Sequence, residues 1–599
     1  MTNLNEEQQR AVSSIYGPVL VLAGPGSGKT HTLTKRIQYM IEHEGILPGE
    51  ILVITFSKKA AEEMQLRFEK LTKDKSYRVY FGTFHAIFYS ILRTHTNFNK
   101  NSILTEKQKM SYLKRVAFKN NIEIKEEAEL IELIDIICAY KNADDKEQFI
   151  DERIEEEKRG EFRHILKEYF NICRDENKLD FDDMLTMCRD LLVSKPDICR
   201  KYQETYKYIL VDEFQDINSV QYEVLDLLAG ENANIFAVGD DDQSIYGFRG
   251  SKPELMKEFM NRENCTLIDM SRNYRSSEVV VNSAHKLIVN NINRINKKQI
   301  PSKQNLVGKF IIENCVNAEK EAEYVCNRIK DIRGKGGPQE SIAVIYRTTR
   351  CIELLKEKMD SEGILYTSNV LIDNYYEREW IRDIVAYLKA ASGNKSMDVI
   401  GRILNKPERG LERDVISLHK TEGSMQLNYE CIKKYDRLIL DLEKISIMSP
   451  FAAVNYILKG IGYEQYLYSY YLRRGYETEK VSELIKELME KSKTYDNIKA
   501  WLRYIESSNE VNPENIDDSE RINMLTAHSS KGLEFDTVFV VGLQEGIFPH
   551  NRALTEEQIE EERRLLYVAM TRAKKDLYVV GRGEIKYGKK ISRFINELL

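Results

Sequence analysis

Ala23-Gly24-Pro25-Gly26-Ser27-Gly28-Lys29-Thr30 follows the apolar run Val19-Leu20-Val21-Leu22 and precedes a segment of helical periodicity, His31 to Glu42. A strand, a glycine-rich turn and a helix in this order build a phosphate cradle. Glycines let backbone N–H groups turn toward an anion, and the helix N-terminus adds the positive end of its dipole. Lys29 is placed to reach β- and γ-phosphates, and the Thr30 hydroxyl to hold Mg²⁺. Ala23 stands where the usual pattern has its first glycine, so the loop by itself leaves a chance glycine-rich turn open.

Working outward, Ile51 to Phe56 reads as a second buried strand running into Ser57-Lys58-Lys59-Ala60-Ala61, and Val79 to His85 as a third, tipped by Thr83 and His85. This rhythm predicts a parallel α/β sheet with ligand sites at the strands' C-terminal ends. Residues 4–12 read as a short helix before the first strand. From about 87 to 190 strand signals vanish and charge rises, as in Glu155-Glu156-Glu157-Lys158-Arg159, which predicts a helical insertion with solvated faces.

The sheet resumes at Tyr208-Ile209-Leu210-Val211, ending in Asp212-Glu213. A lone Asp-Glu pair is common on any surface. At the end of a buried strand downstream of a phosphate loop, Asp212 suits Mg²⁺ and Glu213 suits activation of an attacking water. Ile235 to Asp240 is another strand, running into Asp241-Asp242-Gln243-Ser244-Ile245-Tyr246-Gly247-Phe248-Arg249-Gly250. Gln243 is placed to sense a γ-phosphate or the attacking water. Tyr246 and Phe248 beside Arg249 suit stacking on exposed bases, with aromatic core packing as the alternative. Ser271-Arg272-Asn273-Tyr274-Arg275-Ser276 then offers two arginines just after a strand, Thr266 to Met270.

A second sheet domain is expected from near 277, with strands Ile342 to Tyr346, ending in Arg347, and Ile522 to Thr526. Between them, about 379 to 518 lacks strand rhythm and holds Tyr463, Tyr466, Tyr468, Tyr470 and Tyr471. Those tyrosines could stack on a nucleic acid, but a core-facing helix stripe is the better reading.

Composition bounds the rest. At 599 residues the chain is too long for one core, and a prior of about 150 residues per domain suggests roughly four. No apolar run approaches a membrane span, and the N-terminus is polar, so no membrane role is expected. Nine scattered cysteines without a C-x-x-C pair point to neither zinc nor disulfides and fit a reducing cytoplasm. A net charge of −6 does not advertise nucleic-acid binding, though an internal channel needs only local positive charge.

Together AGPGSGKT, VITFSKKAA, GTFH, ILVDEFQD, VGDDDQSIYGFRG and NYRS resemble, in order and spacing, the superfamily 1 DNA helicases of the UvrD/Rep type. The likeness continues through Thr526 to Phe535 (TAHSSKGLEF) and Tyr567 to Ala573 (YVAMTRA), and covers nearly the whole chain. It implies an α/β fold of two RecA-like parallel-sheet motor domains, each with a mostly helical insertion. The first would comprise 1–86 and 191–276, with insertion 87–190; the second 277–378 and 519–599, with a short insertion 379–518. Tyr376-Glu377-Arg378 lacks the glycine pair that usually precedes that insertion. The chain's end at Leu599 implies that it lacks the C-terminal extension of many relatives.

The resemblance also implies roles. ATP and Mg²⁺ would lie between the two sheets, with Arg275 and Arg572 as arginine fingers on the γ-phosphoryl group. Gln8 would read the adenine edge, Tyr274 pack by the base or ribose, and Glu534 contact the ribose. His31 stands where a family arginine stacks on adenine. Single-stranded DNA would cross the top of both domains along Phe56, Lys59, Thr83, Phe84, His85, Tyr246, Phe248, Arg347 and His528. Phe248 replaces the usual tryptophan. The implied activity is ATP-driven 3′-to-5′ translocation and unwinding at junctions of single- and double-stranded DNA, by a monomer or transient dimer. A translocase that strips bound proteins is the alternative. A helicase–nuclease subunit is disfavoured because the stretch after Arg572 offers no nuclease core. A purely DNA-binding module is disfavoured because every catalytic position is filled.

Overall fold

The computed structural model describes residues 4–72, 77–120, 127–143, 145–232, 234–247, 250–302, 307–334, 340–368, 379–411, 429–472, 478–493, 495–509, 521–583 and 590–599. The chain divides into two compact units, one of Met1–Val370 with Asp518–Leu599 and one of Leu371–Asp517.

The larger unit contains two six-stranded, all-parallel sheets. The first comprises β1 (Val19–Ala23), β2 (Ile51–Thr55), β3 (Tyr80–Thr83), β4 (Tyr208–Val211), β5 (Ile235–Gly239) and β6 (Thr266–Met270), in the order β3-β2-β4-β5-β1-β6. β1, β2 and β5 are buried along their whole length, which explains why their sequences are continuous apolar runs rather than alternating ones. A two-residue pairing, β7 (Arg272–Asn273) with β8 (Ile300–Pro301), lies where the chain leaves this sheet. The second sheet comprises β9 (Phe310–Cys315), β10 (Ile342–Tyr346), β11 (Tyr366–Ser368), β12 (Ile522–Thr526), β13 (Phe535–Leu543) and β14 (Ala573–Arg582), in the order β11-β12-β10-β13-β14-β9. The expected pair of RecA-like parallel sheets is present.

The third strand is shorter than its apolar run. Thr83 Oγ1 accepts the N–H of Ala86 at 3.2 Å and caps a helix, Phe84–His95. This cap takes Phe84 and His85 off the strand and onto the first helical turn.

Helix α1 (Glu6–Ser13) is held against α2 (Lys29–Glu42) by a fully buried guanidinium. Arg36 donates from Nη1 to the Ala11 carbonyl at 2.8 Å and lies 4.0 Å over the Phe236 ring. A cation at the C-terminal end of α1 meets the negative end of its dipole, and a desolvated cation–π contact adds about 2 kcal/mol. Burial pushes the Arg36 pKa down, so these carbonyl bonds and the ring are what keep a charge in that core.

Residues 87–190 contain helices and, among the described residues, no strand beyond an isolated bridge between Ile103 and Leu179. The helix Phe181–Ser194 packs Met184, Leu185, Cys188 and Leu192 onto the first sheet's core. Its N-cap, Asp180, receives the buried Lys141 ammonium at 2.7 Å and so ties the helical segment down.

The smaller unit is helical in its described residues, around a core that includes Tyr387, Tyr463 and Trp501. Tyr463 donates to Asp383 Oδ2 at 2.7 Å, and Asp383 also meets Arg402 at 2.7 Å and Lys406 at 2.9 Å. Tyr466 and Tyr468 pack half-buried on the same core. Three of the five tyrosines are thus accounted for by packing. The side chains of Tyr470 and Tyr471, and the segment 376–378, lie outside the described residues.

Candidate functional site

The site begins with strand direction. Because the first sheet is wholly parallel, the C-terminal ends of β1, β4 and β5 share one edge, with β5 between the other two. That edge carries the Ala23–Thr30 loop, the pair Asp212-Glu213, and Asp240 to Gln243. Gly26 (φ +69°) and Gly28 (φ +86°) take the left-handed conformation that residues with a side chain rarely adopt. Gly28 also caps α2, which therefore starts at Lys29.

The Lys29 ammonium is buried and makes no hydrogen bond; its near contact is Glu213 Oε2 at 3.6 Å. A buried ammonium without a hydrogen-bond acceptor is costly unless an anion completes it, and a phosphate oxygen would. Glu213 sits at φ +52°, uncommon for a residue with a side chain and worth on the order of 1–3 kcal/mol of strain. Burial next to Glu213 pushes Asp212 up. Burial alone would raise Glu213 too, but the Lys29 and Lys531 cations hold it well down, as an ionised carboxylate.

The second sheet supplies the opposite wall. Arg572 is buried at 2 % exposure. It donates to the carbonyls of Val568 at 2.9 Å and Leu533 at 3.2 Å, and reaches Gln243 Oε1 at 3.4 Å. Burial and the neighbouring Arg275 guanidinium push its pKa down, and Glu213 opposes this. Gln243 in turn donates to Asp240 at 2.6 Å. Arg275 Nε pairs with Glu534 Oε2 at 2.8 Å. Gln8 has both ends of its amide engaged: it accepts the Asn5 N–H at 3.1 Å and donates to the Ser27 carbonyl at 3.0 Å. Tyr274 is exposed, its hydroxyl accepting from Asn5 Nδ2 at 2.8 Å. His31 lies exposed on the first turn of α2.

Several residues here escaped the sequence reading. Lys531 donates to the Gln243 carbonyl at 2.9 Å, pairs with buried Asp216, and lies 5.1 Å over the Tyr246 ring. Lys297 closes the three buried aspartates Asp240, Asp241 and Asp242, at 2.6 Å from the first and 3.0 Å from the third. Arg294 adds a pair to Asp242 at 2.7 Å. Asp240, which orients Gln243, is thus paired with an ammonium, and Lys297 and Arg294 together offset two of the three buried negative charges, which lowers the cost of burying the acids side by side. Lys531 lies inside a quoted motif, so its position could have been flagged; Lys297, in Asn-Lys-Lys, carried no spacing signal.

The residues expected along a DNA path divide. Phe56 stacks on Tyr246, with ring centroids 4.9 Å apart and planes at 12°. Lys59 is exposed beyond β2. His85 presents an edge to Phe181 at 5.6 Å, and burial lowers its pKa. Phe84 departs from the expectation: at 3 % exposure it packs on Phe88 and has no face left for a base, because the helix begins there. Phe248 lies outside the described residues. Arg347, at the end of β10, is bonded to Glu562 at 2.8 Å and 3.0 Å, and His528 is half-buried after β12.

The second sheet thus separates two groups of residues along its strands. Arg347 and His528 follow the C-terminal ends of β10 and β12, whereas Glu534 and Arg572 precede the N-terminal ends of β13 and β14. Ile245, next to Tyr246, is buried in the core of this second sheet.

Paired parallel sheets, with a phosphate loop on one and a buried arginine, Arg572, from the other, define a RecA-like P-loop motor protein. Residues 4–264 match the UvrD/REP helicase N-terminal domain, and residues 268–582 match the UvrD-like helicase C-terminal domain. The chain belongs to the UvrD/REP helicase family. It is 31% identical to the ATP-dependent DNA helicase Rep of Buchnera aphidicola, over 96% of this chain and 94% of that protein. It is 32% identical to DNA helicase II of Haemophilus influenzae (97% of this chain, 84% of that protein). With the ATP-dependent DNA helicase PcrA of Staphylococcus aureus it shares 30% identity (97% and 83%).

Proposed function

We propose that this ATP-dependent DNA helicase translocates 3′ to 5′ on single-stranded DNA and separates duplexes at junctions, in DNA repair, recombination or replication. The observation that carries the reading is the division of labour along the second sheet. One end of its strands carries Arg572, which reaches Gln243 beside the phosphate loop's edge of the first sheet, and the other end presents Arg347 and His528.

In this reading ATP binds the Ala23–Thr30 loop, with Lys29 on the β- and γ-phosphates and Gln8, Tyr274, His31 and Glu534 around the nucleoside. Glu213 takes the proton of the attacking water, which Gln243 orients, and Arg275 and Arg572 stabilise charge on the γ-phosphoryl oxygens. The Thr30 hydroxyl and the Asp212 carboxylate are hard oxygen donors that suit Mg²⁺, and the orphaned Lys29 ammonium fits the phosphate beside it. When bound, the ion supplies charge neutralisation between those phosphate oxygens. Closing the second sheet onto ATP displaces its far edge, so a strand held by Phe56, Tyr246, Arg347 and His528 is advanced. Base–aromatic stacking of about 1–3 kcal/mol per base is enough to grip and weak enough to release.

The test is ATP hydrolysis with and without single-stranded DNA, beside unwinding of duplexes carrying 3′ or 5′ tails. DNA-stimulated turnover with unwinding from the 3′ tail alone is expected. Stimulation without unwinding would favour a protein-displacing translocase, and unwinding from the 5′ tail would overturn the direction.

A further inference from the structure

The segment that carries the chain out of the first sheet is fastened on two sides, and one side chain does most of the fastening. Asn273 is buried at 3 % exposure. Its Nδ2 donates to the Pro25 carbonyl of the phosphate loop at 2.8 Å. Its Oδ1 accepts the N–H groups of Arg275 and Ser276, each at 2.9 Å. Partners fix the orientation of this amide, because a carbonyl can only accept and two backbone N–H groups can only donate. At neutral pH no other side chain of this length offers a donor at one end and a twofold acceptor at the other.

The contact has no slack. The Tyr274 N–H donates to the Gly26 carbonyl at 2.9 Å. A Cβ on Gly26 would meet Arg275 Cβ at 2.6 Å and Asn273 Oδ1 at 2.7 Å. On its other side the segment grips the second sheet. Ser276 Oγ donates to the Ala573 carbonyl at 2.7 Å, one residue past Arg572, and the Ser277 N–H donates to the Lys574 carbonyl at 2.7 Å.

We propose that Asn273 is a positioning residue that sets Arg275, and through Ser276 the Arg572 end of β14, in register with the phosphate loop. A movement of Pro25 and Gly26 as the γ-phosphate arrives or leaves is passed by one amide to the segment bearing the arginines. The inference rests on the assignment of Lys29, Arg275 and Arg572 to the ATP site.

The test uses the full chain with saturating single-stranded DNA and reads ATP turnover together with affinity for a fluorescent ATP analogue. Asn273→Asp keeps the acceptor for both N–H groups and replaces the donor with an oxygen that faces the Pro25 carbonyl. Turnover at saturating ATP should fall about tenfold, the worth of one hydrogen bond in the transition state, while analogue affinity stays within about threefold. Acidification protonates the introduced carboxyl and restores a donor, so the ratio of variant to wild-type turnover should rise as pH falls. In an Arg275→Ala background the same change should cost less than about twofold, since residues that act through one another are not additive. Unchanged turnover, an equal loss in both backgrounds, or affinity falling as far as turnover would overturn the proposal. Should Asn273→Asp fail to fold, Asn273→Ser, whose hydroxyl donates and accepts but is shorter, carries the same cycle. Lys29→Ala is measured alongside. Turnover surviving there would sink the ATP-site assignment itself, whereas a dead Lys29→Ala beside a normal Asn273→Asp would sink this inference alone.

Discussion

Arg275 and Glu534 are paired at 2.8 Å, Nε to Oε2, although the proposed ATP site gives them different tasks, one at the γ-phosphate and one at the ribose. Nucleotide entry must therefore exchange this pair for two separate contacts. Glu534→Gln should keep a hydrogen-bond acceptor while weakening both the pair and the grip on ribose hydroxyls. The ratio of kcat/KM for ATP over dATP should move toward one. An unaltered ratio would remove Glu534 from the ribose.

Lys29 contributes charge without a hydrogen bond. Removing it breaks no hydrogen bond, and Lys531 and Gln215 still face the Glu213 carboxylate, so Lys29→Ala should leave the thermal midpoint near that of the wild type. ATP turnover should fall to background, because the β- and γ-phosphates lose their ammonium. A large drop in midpoint would show that the ion pair with Glu213 is structural instead.

Lys531 presents the opposite case. It is buried against Asp216, the Gln243 carbonyl and the Tyr246 ring. Lys531→Met should destabilise by about 3–5 kcal/mol, because buried Asp216 loses the cation that pairs with it. Asp216→Asn in the same chain should recover part of that loss. Denaturant titration of the single and double variants reads both effects, and independent, additive losses would refute the coupling.

His85 supplies a pH dependence. Burial lowers its pKa below the ordinary 6.5, so the unfolded chain binds a proton more readily than the folded one. Stability should therefore rise with pH between the folded value and 6.5, and be lost on acidification through that window. His85→Asn should flatten this part of the stability–pH curve. Persistence of the same slope in the variant would assign it to other groups.

Residues that act through backbone geometry and short spacing were the most legible. The phosphate loop, the Asp212-Glu213 strand end and both large parallel sheets announce themselves because buried parallel strands must be continuous apolar runs. Asn273 and Lys531 stood inside quoted motifs without a role, since their partners Pro25 and Asp216 are 248 and 315 residues away and no local pattern pairs them. Phe84 misled because an apolar run does not show where a Thr cap will end it. Lys297 was invisible for a similar reason: only the fold brings it to Asp240. The stretch 379–518, helical in its described residues, was recognisable by lack of strand rhythm, and Tyr463 is held by a buried carboxylate rather than open to a ligand.

Ile245 is anchored in the second sheet's core, while its neighbours Gln243 and Tyr246 face Arg572, in the proposed ATP site, and the Phe56 ring. Three consecutive demands are thereby written onto one short loop that belongs by sequence to the first sheet. Such a loop cannot drift to suit one ligand without being felt by the other. Loosening that apolar plug would leave each ligand able to bind alone, so the damage would surface as fuel burnt without progress along the track.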